Sequence, residues 1–340
     1  MQAHALTPRM VTALTPDKKS DTSNEHPPTN DESIQASRSA CTPDFPFLSI
    51  LASGGHTLLI HSASLTDHVV LGTTSDIAIG ECLDKVARVV LPPDILQTAK
   101  STMYGALLEA FALPDQYMER RMFVAEKKVE MERRTSDDAK SPTLDPGSPL
   151  HSAETYLNVH GAQYDWYEVP LNHDDAVRRS TTRWGWNLPR PLSTSGGGVK
   201  INSLEMSFSG ITTMVERIVR YGSDVTTMKL NKFERAAADV HIEERKDLAR
   251  ETMIVAFEHV ASRVVLGLQS LQNDTTAKPA VVMAGGVASN LFFRHMQVPR
   301  YVRSIYADLV TDSQVPCVPV DIVMSSYISH HPNTARTTQP

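Results

Sequence analysis

The sequence is short of cysteine, of aromatic rings and of basic charge, and each shortage removes a class of protein. Its three cysteines, Cys41, Cys82 and Cys317, stand far apart with no Cys-x-x-Cys pair. That excludes a disulfide scaffold and a zinc knuckle, and it suits a reducing compartment. A formal net charge of -6 excludes an overall basic surface, so a nucleic-acid partner has to meet a local patch. No uninterrupted apolar run approaches the ~20 residues that a bilayer requires, and the N-terminal residues show no apolar signal core. What is present, 41% hydrophobic and 21% charged residues over 340 positions, is enough for a substantial core in one large domain or two lobes.

Polar and apolar blocks alternate along the chain. Residues 15–46 are rich in Ser, Thr, Pro, Asn and charge, bury too little to offset ordering, and read as a disordered insertion. The stretch "FLSILASGGHTLLI" predicts two short strands joined by a tight turn. "SDIAIGECLDKVARVV" places Ile79, Leu83, Val86 and Val90 at helical spacing, which predicts a helix with one buried face. From 119 to 203 a charged segment runs into Pro-, Ser- and Gly-rich sequence, a solvated, loop-rich insertion with aromatic and proline anchors near Trp184 and Trp186. "FSGITTMVERIVR" returns to helix, and the stretch 249–271 predicts a long amphipathic helix through Ile254, Phe257, Ala261, Val264 and Leu268. "PAVVMA" predicts a buried strand that "GGVASN" turns into a further helix.

Three glycine turns carry the candidate chemistry. In "LASGGHT", Gly54 and Gly55 permit φ > 0 and can aim backbone N–H groups at one point between Ser53 and His56, so a plain hairpin and an anion cradle both fit. In "VMAGGVASN", a strand ending in Gly285 and Gly286 opens a helix, which suits either close packing or a ligand at the helix N-terminus, with Asn290 one turn into that helix. In "SFSGITT", Ser207 and Ser209 precede a helix and read most simply as an N-cap. Glu81 with Lys85 and Asp84 with Arg88 have the spacing of surface ion pairs.

The ordered set "MQAHALTPRM", "LASGGHTLLI", "LGTTSDIAIGECLDKVAR", "SFSGITT" and "VVMAGGVASN" closely resembles the bacterial and organellar tRNA N6-adenosine threonylcarbamoyltransferases over most of 1–12, 47–115 and 204–294. His56 and "GECLDKVAR" resemble the organellar branch, which implies a mitochondrial protein. The resemblance implies an α/β fold, two-lobed like actin and the sugar kinases, with most of the first lobe missing, so that the chain reads as a truncated member. The expected organisation is a remnant of a first-lobe metal-site helix at 1–14, the insertion at 15–46, family sequence at 47–118, the second insertion at 119–203, family sequence again at 204–325 and a divergent tail at 326–340.

The resemblance also implies an acyltransferase, an N6-L-threonylcarbamoyladenine synthase. It moves the threonylcarbamoyl group from threonylcarbamoyl-adenylate to N6 of the adenosine beside the anticodon, in mitochondrial tRNAs that read codons starting with A. Leu51, Ala52, Ser53, Gly54 and Gly55 would contact the adenylate intermediate, Asp84 and Gly105 the nucleoside, Glu109 the same site, and Asn290 the adenylate from the second turn. One divalent ion, iron or zinc, is expected in the intact family, with His4 matching the second of two histidine ligands. Ser325 falls where the family's aspartate ligand stands. The implied partners are tRNA, a separate synthase that supplies the adenylate, and a second copy in a homodimer, with no membrane. Arg178, Arg179, Arg183, Arg294, Arg300 and Arg303 are candidate phosphate contacts. The other reading is a catalytically inactive relative that binds nucleotide or tRNA.

Overall fold

The computed structural model describes residues 43–113, 182–193, 202–271 and 280–297, with isolated residues between 164 and 175, residue 200, and the backbone of Asp321–Met324. The predicted hairpin forms: β1 (Phe47–Ala52) pairs antiparallel with β2 (Thr57–Ser62), Leu51 opposite Leu58. A third strand with no counterpart in the sequence reading, β3 (His68–Thr73), continues the meander. Three helices follow, α1 (Ile79–Val90), α2 (Pro93–Gln97) and α3 (Gly105–Ala112). After the second interruption come α4 (Ser209–Tyr221), a two-stranded ribbon of β4 (Ser223–Asp224) and β5 (Lys229–Leu230), and the long α5 (Ile242–Leu271). The chain then returns to the sheet in β6 (Ala280–Ala284), passes a 3-10 turn (Gly286–Ser289) into helix α6 (291–297), and adds β7 (Asp321–Met324).

The main sheet has the order β3-β2-β1-β6-β7. β6 lies parallel to β1 with Leu51 opposite Ala284, and β7 lies parallel to β6. Two parallel strands thus end side by side at their C-termini, each followed by a glycine turn, and such strand ends leave the crevice where open α/β sheets take ligands. Among the described residues there is one such sheet.

Leu48, Ile50 and Ala52 of β1, Leu59 of β2 and Val281 and Met283 of β6 all point into one large core with the apolar faces of α1, α3, α4, α5 and α6. The opposite sheet face is also apolar and buried, with Phe47, Ala280 and Val282 in one cluster and Leu51, Leu58, Ile60 and Ala284 in another. Burial on both faces is why β1 and β6 read as continuous apolar runs rather than alternating ones.

The helix α5 starts seven residues earlier than its apolar periodicity predicted, because its first turns are charged. Glu243 and Lys246, and Asp247 and Arg250, pair along it. By length and composition it would pass for a membrane span although charged residues interrupt its apolar stretch, but most of its apolar window is packed inside. It is the central core helix, in contact with α1, α3, α4, β1 and β2. Tyr164, Trp186 and Leu188, from the stretch read as an insertion, are each 2% exposed and belong to the same core. Arg190 of that stretch forms a buried ion pair with Glu258 of α5, whose other oxygen accepts from the Tyr167 hydroxyl at 2.7 Å.

Candidate functional site

The turn between β1 and β2 closes on itself. The Ser53 N–H donates to the His56 carbonyl at 2.9 Å, and the Ser53 hydroxyl both donates to that carbonyl at 3.1 Å and accepts the His56 N–H at 3.0 Å. Neither Gly54 nor Gly55 has positive φ, so the left-handed backbone that two glycines permit is not used in this turn. Both are exposed, and a Cβ added to either would meet nothing within 4 Å. What the glycines leave is open space above the backbone.

The underside of the turn is crowded, and the crowding comes from α1. That helix begins after Ala78, which supplies no side-chain cap, so its first amides need partners elsewhere. The Ile79 N–H donates to the buried Thr57 hydroxyl at 2.9 Å and the Gly80 N–H to the Ser53 carbonyl at 3.1 Å. A Cβ on Gly80 would lie 2.7 Å from the Gly54 Cα and N and from the Ser53 oxygen. Gly80 is thus the close-approach glycine here, and sequence reading passed over it as a helix-interior residue.

The second glycine turn is brought against the first. Gly285 has φ 101°, and a side chain there would collide with the Ala52 carbonyl. Leu51 and Ala52 are buried and lend the crevice their backbone only; Ser53 to His56 on one side and Gly286 and Ser289 on the other present its more open surface.

Asp84, one helical turn beyond Gly80 on the same face of α1, does not pair with Arg88 in the way its spacing suggested. Its carboxylate accepts the Tyr104 N–H at 2.6 Å and the Gly105 N–H, the first amides of α3, whose own N-cap Tyr104 offers no side-chain bond. Burial pushes its pKa above the ordinary carboxylate value, against the lowering effect of those two amides and of Arg88. The Glu81–Lys85 pair does form, at 2.9 Å. Glu109, on α3, is 7% exposed and accepts the Leu291 N–H at 3.0 Å, the first amide of α6. Asn290 stands just before α6 rather than one turn inside it. Its side-chain carbonyl accepts the Phe293 N–H at 2.8 Å, an N-cap, and the residue is 7% exposed.

A fourth cap was missed altogether. Asp76 accepts from the Ser207 hydroxyl at 2.7 Å, the Ser209 hydroxyl at 2.5 Å, and the Phe208 and Ser209 amides at 2.9 and 3.1 Å, and also from the Ile77 N–H at 2.7 Å. Burial alone would raise its pKa, but these hydrogen bonds outweigh it and hold the carboxyl below its ordinary value. The expected local cap in "SFSG" is therefore corrected: Phe208 occupies the N-cap position without a side-chain bond, and the capping group comes from the loop before α1. Behind this turn, His259 accepts the Ser207 N–H at 3.2 Å, and burial followed by the charge of Arg263 pushes its pKa down to about 3, which keeps the imidazole neutral. Cys82, buried under the same turn, has its thiol pushed up to about 12, chiefly by burial, and is inert.

Residues 32–146 match the family model for tRNA N6-adenosine threonylcarbamoyltransferase. The chain is 27% identical over 254 residues, 74% of its length, to a Schizosaccharomyces pombe protein named tRNA N6-adenosine threonylcarbamoyltransferase, mitochondrial, of which it covers 40%. It is 36% identical over 126 residues to a Methylorubrum extorquens tRNA N6-adenosine threonylcarbamoyltransferase, covering 27% of that protein. Over 47 residues it is 51% identical to the enzyme of that name from Magnetococcus marinus. The chain spans less than half the length of these curated relatives. The threonylcarbamoyltransferase family has the actin/sugar-kinase-like fold, and the mixed sheet flanked by helices agrees with it.

Set against the family resemblance, Leu51 to Gly55, Asp84, Gly105, Glu109 and Asn290 fall into one connected neighbourhood, joined through α1, α3 and α6. His4 and Ser325 lie outside the described residues, as do Arg178, Arg179, Arg300 and Arg303. Of the other candidate phosphate contacts, Arg183 pairs with Asp247 at 3.1 Å and Arg294 donates to the Ala288 carbonyl at 2.6 Å. Among the described residues no three His, Cys, Asp or Glu side chains come together as a metal ion would need, and His4, the ligand that the resemblance implies, lies outside them.

Proposed function

We propose that the protein takes part in tRNA modification as an acyltransferase, binding threonylcarbamoyl-adenylate at the C-terminal ends of β1 and β6 and passing the threonylcarbamoyl group to N6 of the adenosine beside the anticodon. The observation that carries this reading is the packing of Gly285 on Ala52, which juxtaposes two glycine turns at the ends of parallel strands. Open backbone over Gly54 and Gly55 admits a phosphate or carboxylate without a side chain in the way.

In the reaction the exocyclic amine attacks the carbamoyl carbon, the bond to the phosphate oxygen breaks, AMP leaves, and the amine gives up a proton. Orientation and backbone N–H groups aimed at developing negative charge are what such a site contributes. The setting proposed is mitochondrial, with tRNAs reading codons that start with A, a separate synthase supplying the adenylate, and a homodimer as the assembly. A divalent ion with His4 as one ligand belongs to the same proposal, and no step above is routed through it.

The test is calorimetric titration with a non-hydrolysable threonylcarbamoyl-adenylate analogue, followed by transfer of the labelled threonylcarbamoyl group from threonylcarbamoyl-adenylate onto an unmodified mitochondrial tRNA transcript. Binding and transfer, the latter lost when the target adenosine is replaced by guanosine, are expected. Binding without transfer identifies the nucleotide-binding relative instead, and absence of binding overturns the site.

A further inference from the structure

We propose that the β4–β5 ribbon, with the loop that leads from it to Phe233, is a tRNA-binding surface of this protein, set apart from the crevice at the strand ends. The proposal rests on the reading of the protein as a tRNA-modifying acyltransferase and adds to it a face that holds the RNA.

The ribbon is firmly tied down, yet three of its apolar side chains stay outside. Gly222, with φ 65°, ends α4, and the Asn231 N–H donates to the Gly222 carbonyl at 3.2 Å. Asp224 accepts the Thr226 and Thr227 amides at 2.9 and 2.6 Å, which closes the turn. The Arg235 guanidinium fastens the returning chain: it donates to both oxygens of Glu244 on α5, at 2.7 and 2.9 Å, and to the Ile218 and Val219 carbonyls at the end of α4, at 3.1 and 3.2 Å. Even so, Phe233 is 86% exposed, Val225 63% and Met228 42%. Ordering a loop costs conformational entropy that burial usually offsets, and these side chains are not buried. A fixed backbone that holds a phenylalanine ring in solvent is what a base-stacking platform requires.

Charge selects the occupant. Residues 216–235 include five basic and three acidic side chains. Two of the acids are engaged, Asp224 on the ribbon turn and Glu234 on Arg220 at 2.9 Å. Arg217, Lys229 and Lys232 are exposed and form no ion pair among the described residues, with only Glu216 left against them. In a chain of formal net charge -6, this is the kind of local basic patch that a nucleic-acid partner has to meet. Phosphates suit the three cations and an unpaired base suits the ring. An apolar protein partner would cover Phe233 and Val225 at the expense of desolvating those cations unpaired.

Helix α5 measures the distance from the crevice. Gly267 packs on Leu48 and Leu59 in the sheet, and Met253, nearer the helix start, meets the Asn290 side chain at the second glycine turn, with nitrogen and sulfur 3.9 Å apart. Glu244, which holds Arg235, lies further along the same direction, about 14 Å beyond Met253 at the rise of an α-helix. The ribbon therefore stands past the C-terminal ends of β1 and β6, on the side to which the crevice opens, where one RNA can touch both.

The experiment measures binding of an unmodified mitochondrial tRNA transcript to the full chain by fluorescence anisotropy over a range of salt concentrations, with affinity for the threonylcarbamoyl-adenylate analogue measured beside it. Wild type is compared with Phe233→Trp, Phe233→Leu and the double variant Lys229→Ala/Lys232→Ala. Phe233→Leu keeps an apolar side chain but loses the ring, and should weaken tRNA binding roughly fivefold to a hundredfold, whereas Phe233→Trp should stay within about threefold of wild type. The double variant should bind more weakly and flatten the plot of log affinity against log salt by a slope of about 1.5 to 2. Analogue affinity and melting temperature should not move in any variant, because each substituted side chain is exposed and remote from the crevice. Wild-type tRNA affinity in Phe233→Leu, or an unchanged salt slope in the double variant, would overturn the proposal. So would loss of self-association in Phe233→Leu with tRNA affinity kept, which would make the surface a contact between two copies. The crevice is judged separately: tRNA binding through the ribbon without analogue binding keeps this surface and removes the crevice, and absence of tRNA binding refutes the surface whatever the analogue does.

Discussion

At the residue scale, the structure uses carboxylates as remote caps. Phe208 and Tyr104 sit at N-cap positions that usually go to Ser, Thr, Asp or Asn, and the missing acceptors come from Asp76 and Asp84. Asp76 is the clearest case for measurement, because its hydrogen bonds all favour the ionised form. Its folded pKa is depressed, so the stability it contributes is fully present above the unfolded value near 3.8 and is lost as pH falls through the lower folded value. Asp76→Ala should therefore lower the urea midpoint at pH 7 by an amount worth about 1 kcal/mol, the usual size for a lost cap, and the gap from wild type should close as the pH is taken from about 5 toward 2. A gap of constant size across that range would show that Asp76 acts through packing and not through its charge.

At the element scale, the start of α1 under the Ser53–His56 turn sets the shape of the crevice, and the two glycines there have opposite demands. Gly80→Ala gains helix propensity of about 1 kcal/mol but drives a methyl group into the Gly54 and Ser53 backbone, which cannot rotate away. Overpacking of this kind costs roughly 1–3 kcal/mol, so the net change should be destabilising. Gly54→Ala, with open space around it and no positive φ, should leave the melting temperature nearly unchanged while weakening the adenylate analogue. Thermal melts of both variants check this, and a destabilised Gly54→Ala beside a neutral Gly80→Ala would refute the packing described. The contrast also marks what was legible in the sequence. Strands β1, β2 and β6 and helices α1, α4 and most of α5 could be read from local patterns, since apolar spacing and Gly-Gly turns are written within a few residues of where they act. Strand β3 could not, because His68–Thr73 is an edge strand whose identity comes from pairing with β2. The remote caps could not either: Asp76 meets Phe208 across 132 residues and Glu109 meets Leu291 across 182, and no local signal encodes such a partner, whereas Asn290 caps α6 locally, three residues before Phe293. The site residues were named through family resemblance, and the finding that Asp84, Glu109 and Asn290 are engaged with helix amides belongs to the structure alone.

At the scale of the whole molecule, the described elements depend on one helix. Strand β1 is paired with β2 nearby in sequence and with β6 more than two hundred residues on, and α5 packs against the sheet while touching α1, α3 and α4. Its Phe257 is fully buried, with its ring 4.9 Å from that of Phe293 and 6.1 Å from that of Phe292, so it ties α5 to the helix that follows the second glycine turn. Removing a buried phenylalanine ring costs roughly 3–5 kcal/mol. If the hairpin, the helices and β6 form a single cooperative unit, that loss must be felt at both glycine turns together, because neither half has its own core to fall back on. Phe257→Ala should then lower one calorimetric transition by on the order of 10 °C, with hydrogen exchange rising in step at 47–60 and 280–297. A split into two transitions, or protection kept at 47–60 while 280–297 opens, would show that the hairpin with α1 folds independently of the second turn, and the crevice would then be a docking of two units and not a feature of one core.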